Sequence, residues 1–394
     1  MKKKLLLLLI IFFGVYIIGF FFIKSQVKKE LENHPELNYQ EISIGFLGGI
    51  HFDGASYNAE NFSFENADVN LNLDYFSFIK GKRKTINSLK LSHTNIEIFD
   101  QKSDSLKSSD TTSFDLSLKA LQFKDVNLKV HRLEKILEVE GLDFRISDIE
   151  NFDSFNVKQL ESLELNRLSY PINALQKIEI STFSIKNKRG KLNELRIIPL
   201  LDKDNYSKAL KRETDLIDLS IPSLDFIIDQ FSLNEGDIET LIFDRLNLDS
   251  INLKIHRDKT LPDDKSIKKT YAQQLQNLNY KFAIHHLAVK NSKILYGEKY
   301  SETNDYADIK FDDVEIELDS ISNFNSEFAR LKSQSMLNEG SDLKLYITYD
   351  LNADQSTFDA KIEAQNIDAR SFSKMLKHSQ KKGIEGDIQK LSAE

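Results

Sequence analysis

The 394-residue chain contains no cysteine. That removes disulfides, thiolate metal sites and a lipidated N-terminal cysteine from consideration. Proline and glycine are sparse, with five and fourteen residues respectively, so the chain is not low-complexity or disordered. There is no basic excess either. The net charge is −8, which excludes a nucleic-acid backbone as partner, because that needs a basic face. Neither H-E-x-x-H nor a P-loop, G-x-S-x-G or G-x-G-x-x-G pattern occurs. We therefore assign no catalytic residue, no metal ligand and no cofactor. An envelope hydrolase remains only as a distant third possibility.

What the chain does have is a recurring unit: leucine, any residue, apolar, three break residues, any residue, apolar, any residue, apolar. Leu89–Ile98, Leu121–Val130, Leu246–Ile255 and Leu287–Tyr296 carry it, and Leu163–Ile172 and Phe231–Thr240 are degenerate copies. Asn127–Arg132 and Asn252–Arg257 are nearly identical. Period-two alternation places the apolar side chains of a strand on one face. The polar break reads as a turn between two strands. Repetition of such a unit predicts an extended β assembly over residues 41–394, not a globule around one pocket. The pattern puts Leu89, Leu91, Ile96, Ile98, Leu121, Phe123, Leu128, Val130, Leu246, Leu248, Leu253 and Ile255 on one apolar face. Such a face either fills a sandwich core or lines a groove for alkyl chains, and composition does not separate the two. Each buried methylene contributes roughly 0.8 kcal/mol, so a sixteen-carbon tail would gain on the order of ten before ordering costs.

Lys2, Lys3 and Lys4 precede an uncharged run, Leu5–Ile23. A helix of that length spans about one hydrocarbon core. Leu5, Leu9, Phe13, Ile18 and Phe22 mark it as an anchor. A cleaved secretory signal is the alternative, but the run is long and no small-x-small site follows. The lysine-rich tip keeps the N-terminus in the cytoplasm and the rest outside. Residues 1–23 thus read as the anchor and 24–40 as a juxtamembrane helix or linker.

Further along, Glu41–Phe52 and Ala55–Phe64 read as strands around glycines, and Asp68–Ile79 alternates cleanly. Lys80–Lys84 reads as a turn and Ser103–Thr112 as an exposed loop. Breaks fall at Pro171 and Lys188–Gly190. Helices are predicted at Pro262–Leu278, Asn325–Leu337 and Arg370–His378, and Tyr206–Thr214 as a short helix or loop. Adjacent His285 and His286 point to opposite faces of a strand and cannot chelate together. His131 and His256 occupy one repeat position and fit a strand-end rim.

The single anchor, the early glycine-bearing strands, the Leu89–Ile98 type of unit and the late segment Asp350–Gly386 together resemble the AsmA-like superfamily. These are AsmA-, TamB- and YhdP-type proteins anchored in the inner membrane of Gram-negative bacteria. The resemblance implies a mainly β fold, an elongated and mostly antiparallel repeating groove with a few short helices. It implies a periplasmic location, phospholipid as partner and a role in outer-membrane lipid homeostasis. A non-enzymatic scaffold or outer-membrane assembly factor with a fully buried core, acting through envelope protein partners, is the other expectation.

Overall fold

The computed structural model describes residues 24–25, 27, 29, 31–32, 36–45, 48–74, 77, 84–100, 116–149, 154–210, 212–234, 237–266, 269–301, 306–351, 357–380 and 384–394. The predicted anchor, the turn at Lys80–Lys84 (save Lys84 itself) and the loop Ser103–Thr112 lie outside them. Among the described residues no helix is long and apolar enough to cross a membrane. Lys24, Val27 and Leu31 are helical. The fold is mainly β, mostly antiparallel, with a few short helices.

The chain divides into two compact units, Met1–Asn166 and Arg167–Glu394. In the first, Gly49–Asn58, Phe62–Leu73 and Lys84–Asp100 form an antiparallel meander. Ala120–Arg132 then pairs parallel with Lys84–Asp100, and Lys135–Ser147 returns antiparallel. In the second, Gln176–Lys186, Arg189–Pro199 and Asp215–Asn234 lead to one long interrupted strand, Asp237–Asp249 plus Asn252–Asp258. Lys281–Lys299 lies parallel to both pieces of it. Antiparallel strands follow as far as Asp387–Ala393.

The two parallel steps explain the repeat. Leu89 faces Leu121, Leu91 faces Phe123, Ile96 faces Leu128 and Ile98 faces Val130. Leu246 and Leu253 face Leu287 and Ile294 in the same way. Parallel neighbours in register place like positions side by side. Asn127 Nδ2 donates to Asn95 Oδ1 at 2.9 Å, 32 residues away along the chain.

The break inside the unit is not a turn. Lys84–Asp100 runs straight through Ser92-His93-Thr94, and Ala120–Arg132 through Lys124-Asp125-Val126. Each break holds one residue in the left-handed region, with φ 54° at His93, 53° at Asp125, 60° at Ser250 and 52° at Asn291. Asn, Asp and His tolerate that region better than other non-glycine residues. The extra residue makes a β-bulge, which bends the strand instead of reversing it. Phe231–Thr240, by contrast, spans a hairpin between two antiparallel strands. Gly54 likewise sits at φ 58° inside Gly49–Asn58 and does not end a strand.

These bends align from strand to strand, through Gly54, Asn66, His93, Asp125 and Gly141 in the first unit. After four of the five the next residue is small and sealed: Ala55, Ala67 and Val126 are 0 % exposed and Thr94 3 %, while Leu142 follows Gly141 at 8 %. Ser292 takes that place in the second unit. A bulge leaves backbone groups off the ladder, and hydroxyls answer them. Thr94 donates to Glu65 O at 2.6 Å, and Ile251 N donates to Ser292 Oγ at 3.0 Å.

Two helix expectations fail. Asn325–Leu337 is not a helix: Phe328–Leu337 is a strand paired on both sides. Its period-two pattern, Ala329-x-Leu331, overrides helix-forming composition. Within Pro262–Leu278 the helix is confined to Tyr271–Gln276, because the N-cap is Thr270 in a capping box with Gln273, not Pro262. Lys203–Ala209 is helical, and Ala369–Phe372 is a 3₁₀ turn leading into the helix Ser373–Gln380. Pro171 lies within a strand, where the register shifts. Left-handed Asn187 and Lys188 form the next hairpin turn.

Asp125→Gly should change stability little, since glycine accepts φ 53° and the bond from this backbone N–H to Asp143 Oδ1 at 2.7 Å survives. Asp125→Val should cost about 1–3 kcal/mol for a β-branched residue held in that region. Urea unfolding of the two variants checks the difference.

Candidate functional site

The predicted apolar residues assemble into rows that cross the strands. In the first unit one row runs Leu71, Leu89, Leu121, Ile146, and a second runs Val69, Leu91, Phe123, Phe144. Past the bend come Phe64, Ile96, Leu128, Val139, then Phe62, Ile98, Val130, Leu137. The Phe123 and Phe144 rings lie 6.0 Å apart. In the second unit Phe226, Leu246, Leu287 and Leu318 form one row, and Leu219, Leu253, Ile294 and Phe311 another. All twelve predicted face residues therefore have neighbours of their own kind. Asn127, Lys129, Asn252 and Lys254 alternate with them and are exposed.

Burial along this face is uneven. Of the twelve, Leu91 and Ile96 are buried, at 7 % and 3 % exposure. The other ten are half-buried. Val126 is the largest side chain fully withdrawn from solvent among the described residues, and it belongs to the bend. Packed interiors seal Leu, Ile and Phe routinely. Here Val69, Val139 and Phe226 of the same rows are sealed, at 9 %, 6 % and 7 % exposure, while the ten half-buried residues keep part of their surface open.

In the second unit the apolar face ends in a band of charge. Two positions beyond Ile217, Ile255 and Tyr296, the same face carries Asp215, Arg257 and Glu298. Arg257 grips Asp215 as a fork, Nε to Oδ1 at 2.6 Å and Nη2 to Oδ2 at 2.7 Å. This hydrogen-bonded pairing raises the guanidinium above its ordinary value despite burial. Lys259 meets Glu213 at 2.6 Å. Tyr296 donates to Glu298 Oε1 at 2.6 Å, and Tyr300 donates to Oε2. Burial first, then Glu298, pushes both phenols up. The band is internally satisfied and marks where apolar surface stops. Asp215 and Arg257 lie 42 residues apart, so their pairing was hidden in the sequence. The readable signal was charge in the apolar phase of a periodic strand.

On the opposite face of that end the helix Lys203–Ala209 covers the sheet, with Tyr206 3 % exposed. His256 is 5 % exposed, not at a rim, and its ring meets Tyr306 edge-on at 5.2 Å. Gly297 allows this, because a Cβ there would lie 2.4 Å from Asp308 Oδ1 and 3.1 Å from His256 Cδ2. His131, its counterpart, is only half-buried and stacks on Phe99 at 4.5 Å. His285 is exposed, while His286 bonds Asp319 at 2.6 Å. Among the described residues no group of three or more His, Asp or Glu could hold a metal ion.

Comparison with models of protein families gives no match, and comparison with curated proteins gives none.

Burial, then Lys203 and Lys254, pulls His256 down to about 4. The folded state therefore resists a proton that the unfolded chain takes up near pH 6.5. The stabilisation is complete above that pH and drains away as pH falls toward 4. Linkage puts the loss at about 2 kcal/mol by pH 5. The drop in urea-unfolding stability between pH 7.5 and pH 5 should shrink by about that amount in His256→Gln; an unchanged drop would contradict the assignment.

Proposed function

We propose that this protein binds the acyl chains of phospholipids along its apolar β face and moves or holds them without a chemical step. Leu5–Ile23 anchors it in the inner membrane, with the β units in the periplasm of a Gram-negative envelope, where it serves outer-membrane lipid homeostasis. The observation that carries the reading is the half-buried state of ten of the twelve face residues, arranged in rows across adjacent strands. A face of this kind offers a hydrocarbon tail contact along its length and excludes water when the tail is seated. The resemblance to AsmA-like proteins points the same way. Sealed Leu91 and Ile96 favour the second reading, a non-enzymatic scaffold whose face is occupied by the protein itself.

Leu121→Glu and Leu128→Glu separate the two. A carboxylate on an open face stays hydrated, whereas one buried without a partner is costly. Under the lipid reading both variants keep their circular-dichroism melts within a few degrees and lose crosslinking to a photoactivatable phospholipid. Val126→Glu, at the sealed bend, unfolds in either case. Unfolding of Leu121→Glu and Leu128→Glu, with no crosslink to the wild-type protein, would decide for the scaffold. The anchor is checked separately by whether the protein fractionates with inner membrane and begins at Met1.

A further inference from the structure

At the N-terminal end of the helix Lys203–Ala209, on the face opposite the apolar rows, lies a hollow of about 690 Å³. That volume is in the range of small-ligand pockets. Its lining divides by chemistry. Arg196, Lys203 and Lys254 supply donors and positive charge and His256 a neutral ring, while Ile198, Leu200, Leu201, Leu216 and Leu295 supply hydrocarbon. Leu200 is 48 % exposed at its edge, a large apolar side chain left in water on a face otherwise dominated by polar residues.

The acids that share the lining are already engaged. Asp202 caps the helix, accepting from Asn205 N at 2.9 Å. Asp218 faces Lys254 at 3.9 Å, and Asp308 lies against Gly297 and attracts Lys203. The cations are less so. Arg196 is exposed and forms no ion pair or side-chain hydrogen bond among the described residues. Lys203 rests over the Tyr306 ring at 4.8 Å, a cation–π contact that leaves its N–H donors unspent. Arg196 and Lys254 also line a second hollow of about 340 Å³ that continues along the same face toward Pro222. The unengaged Arg196 fork with Lys203 beside it, and Lys254 shared with Asp218, is suited to a carboxylate or phosphate.

We propose that this hollow binds an amphiphilic anion, its carboxylate or phosphate head on Arg196, Lys254 and Lys203 and its apolar tail along Ile198, Leu200 and Leu295. The site is separate from the acyl-binding face and does not depend on it. His256 forms the neutral floor and Gly297 leaves it room.

The test uses full-length protein in nanodiscs and three photoactivatable probes with one alkyl chain: a carboxylic acid, an alkyl phosphate and an alcohol. The acid or the phosphate should label the peptide spanning residues 196–201, and the alcohol at least tenfold less. Which of the two labels better identifies the head. Arg196→Gln and Lys203→Gln should each reduce labelling about tenfold with unchanged circular dichroism. Equal labelling by the alcohol, or labelling at 196–201 indifferent to both substitutions, would overturn the proposal, as would no labelling there at all. Leu128→Glu should leave this labelling intact, so failure here does not touch the phospholipid reading, nor the reverse.

Discussion

One backbone constraint organises both units: a residue held at positive φ in the middle of a strand, repeated at the same level in the next strand. A single bulge is a local kink. Gly54, Asn66, His93, Asp125 and Gly141 set five such residues at one level across neighbouring strands. The crowding falls on the residues just after the bend, where Ala55, Ala67, Thr94, Val126 and Ser292 are sealed and Leu142 is buried at 8 %. Large apolar side chains lie to either side, where a single layer of sheet covers them only in part. The face residues nearest the bulges, Leu91 and Ile96, are sealed, and those farther along the rows are half-buried.

The same face has an end. At Asp215, Arg257 and Glu298 the alternation keeps its period but changes its chemistry from hydrocarbon to charge. The charges there are paired within the protein, as a desolvated group requires. The reverse face at the same level is not simply polar, because an open hollow there is lined by Leu200, Leu216, His256 and Leu295 beside Lys203. Two surfaces of one sheet thereby acquire different chemistry from residues that alternate along the same strands.

The alternation was legible from the amino acids because it is local: Leu89 and Leu91, or Leu253 and Ile255, declare their common face by spacing alone. So was the equivalence of Asn127–Arg132 and Asn252–Arg257. Three things were not. A left-handed Asp or Asn inside a strand has the same composition as a turn, so Asp125 and Asn291 read as chain reversals. Parallel stacking of repeat copies depends on register between segments, and no single segment encodes it. The ion pairs and the hollow around His256 depend on that same register, as the separation of Asp215 from Arg257 illustrates. The strand Phe328–Leu337 shows a further limit: its Ser, Lys and Gln suit a helix, but pairing on both edges settles it as β.

The absence of cysteine gives a direct test of the open face, since any introduced thiol is unique. Leu121→Cys, Leu128→Cys and Leu246→Cys place a thiol on the rows, and Val126→Cys places one at the sealed bend. The rate of N-ethylmaleimide modification in the folded protein, read by mass spectrometry, compares them. An open face predicts that the three row positions react at least tenfold faster than position 126, and that added phospholipid slows them selectively. Row positions as slow as position 126 would contradict the account and mean that the face is closed.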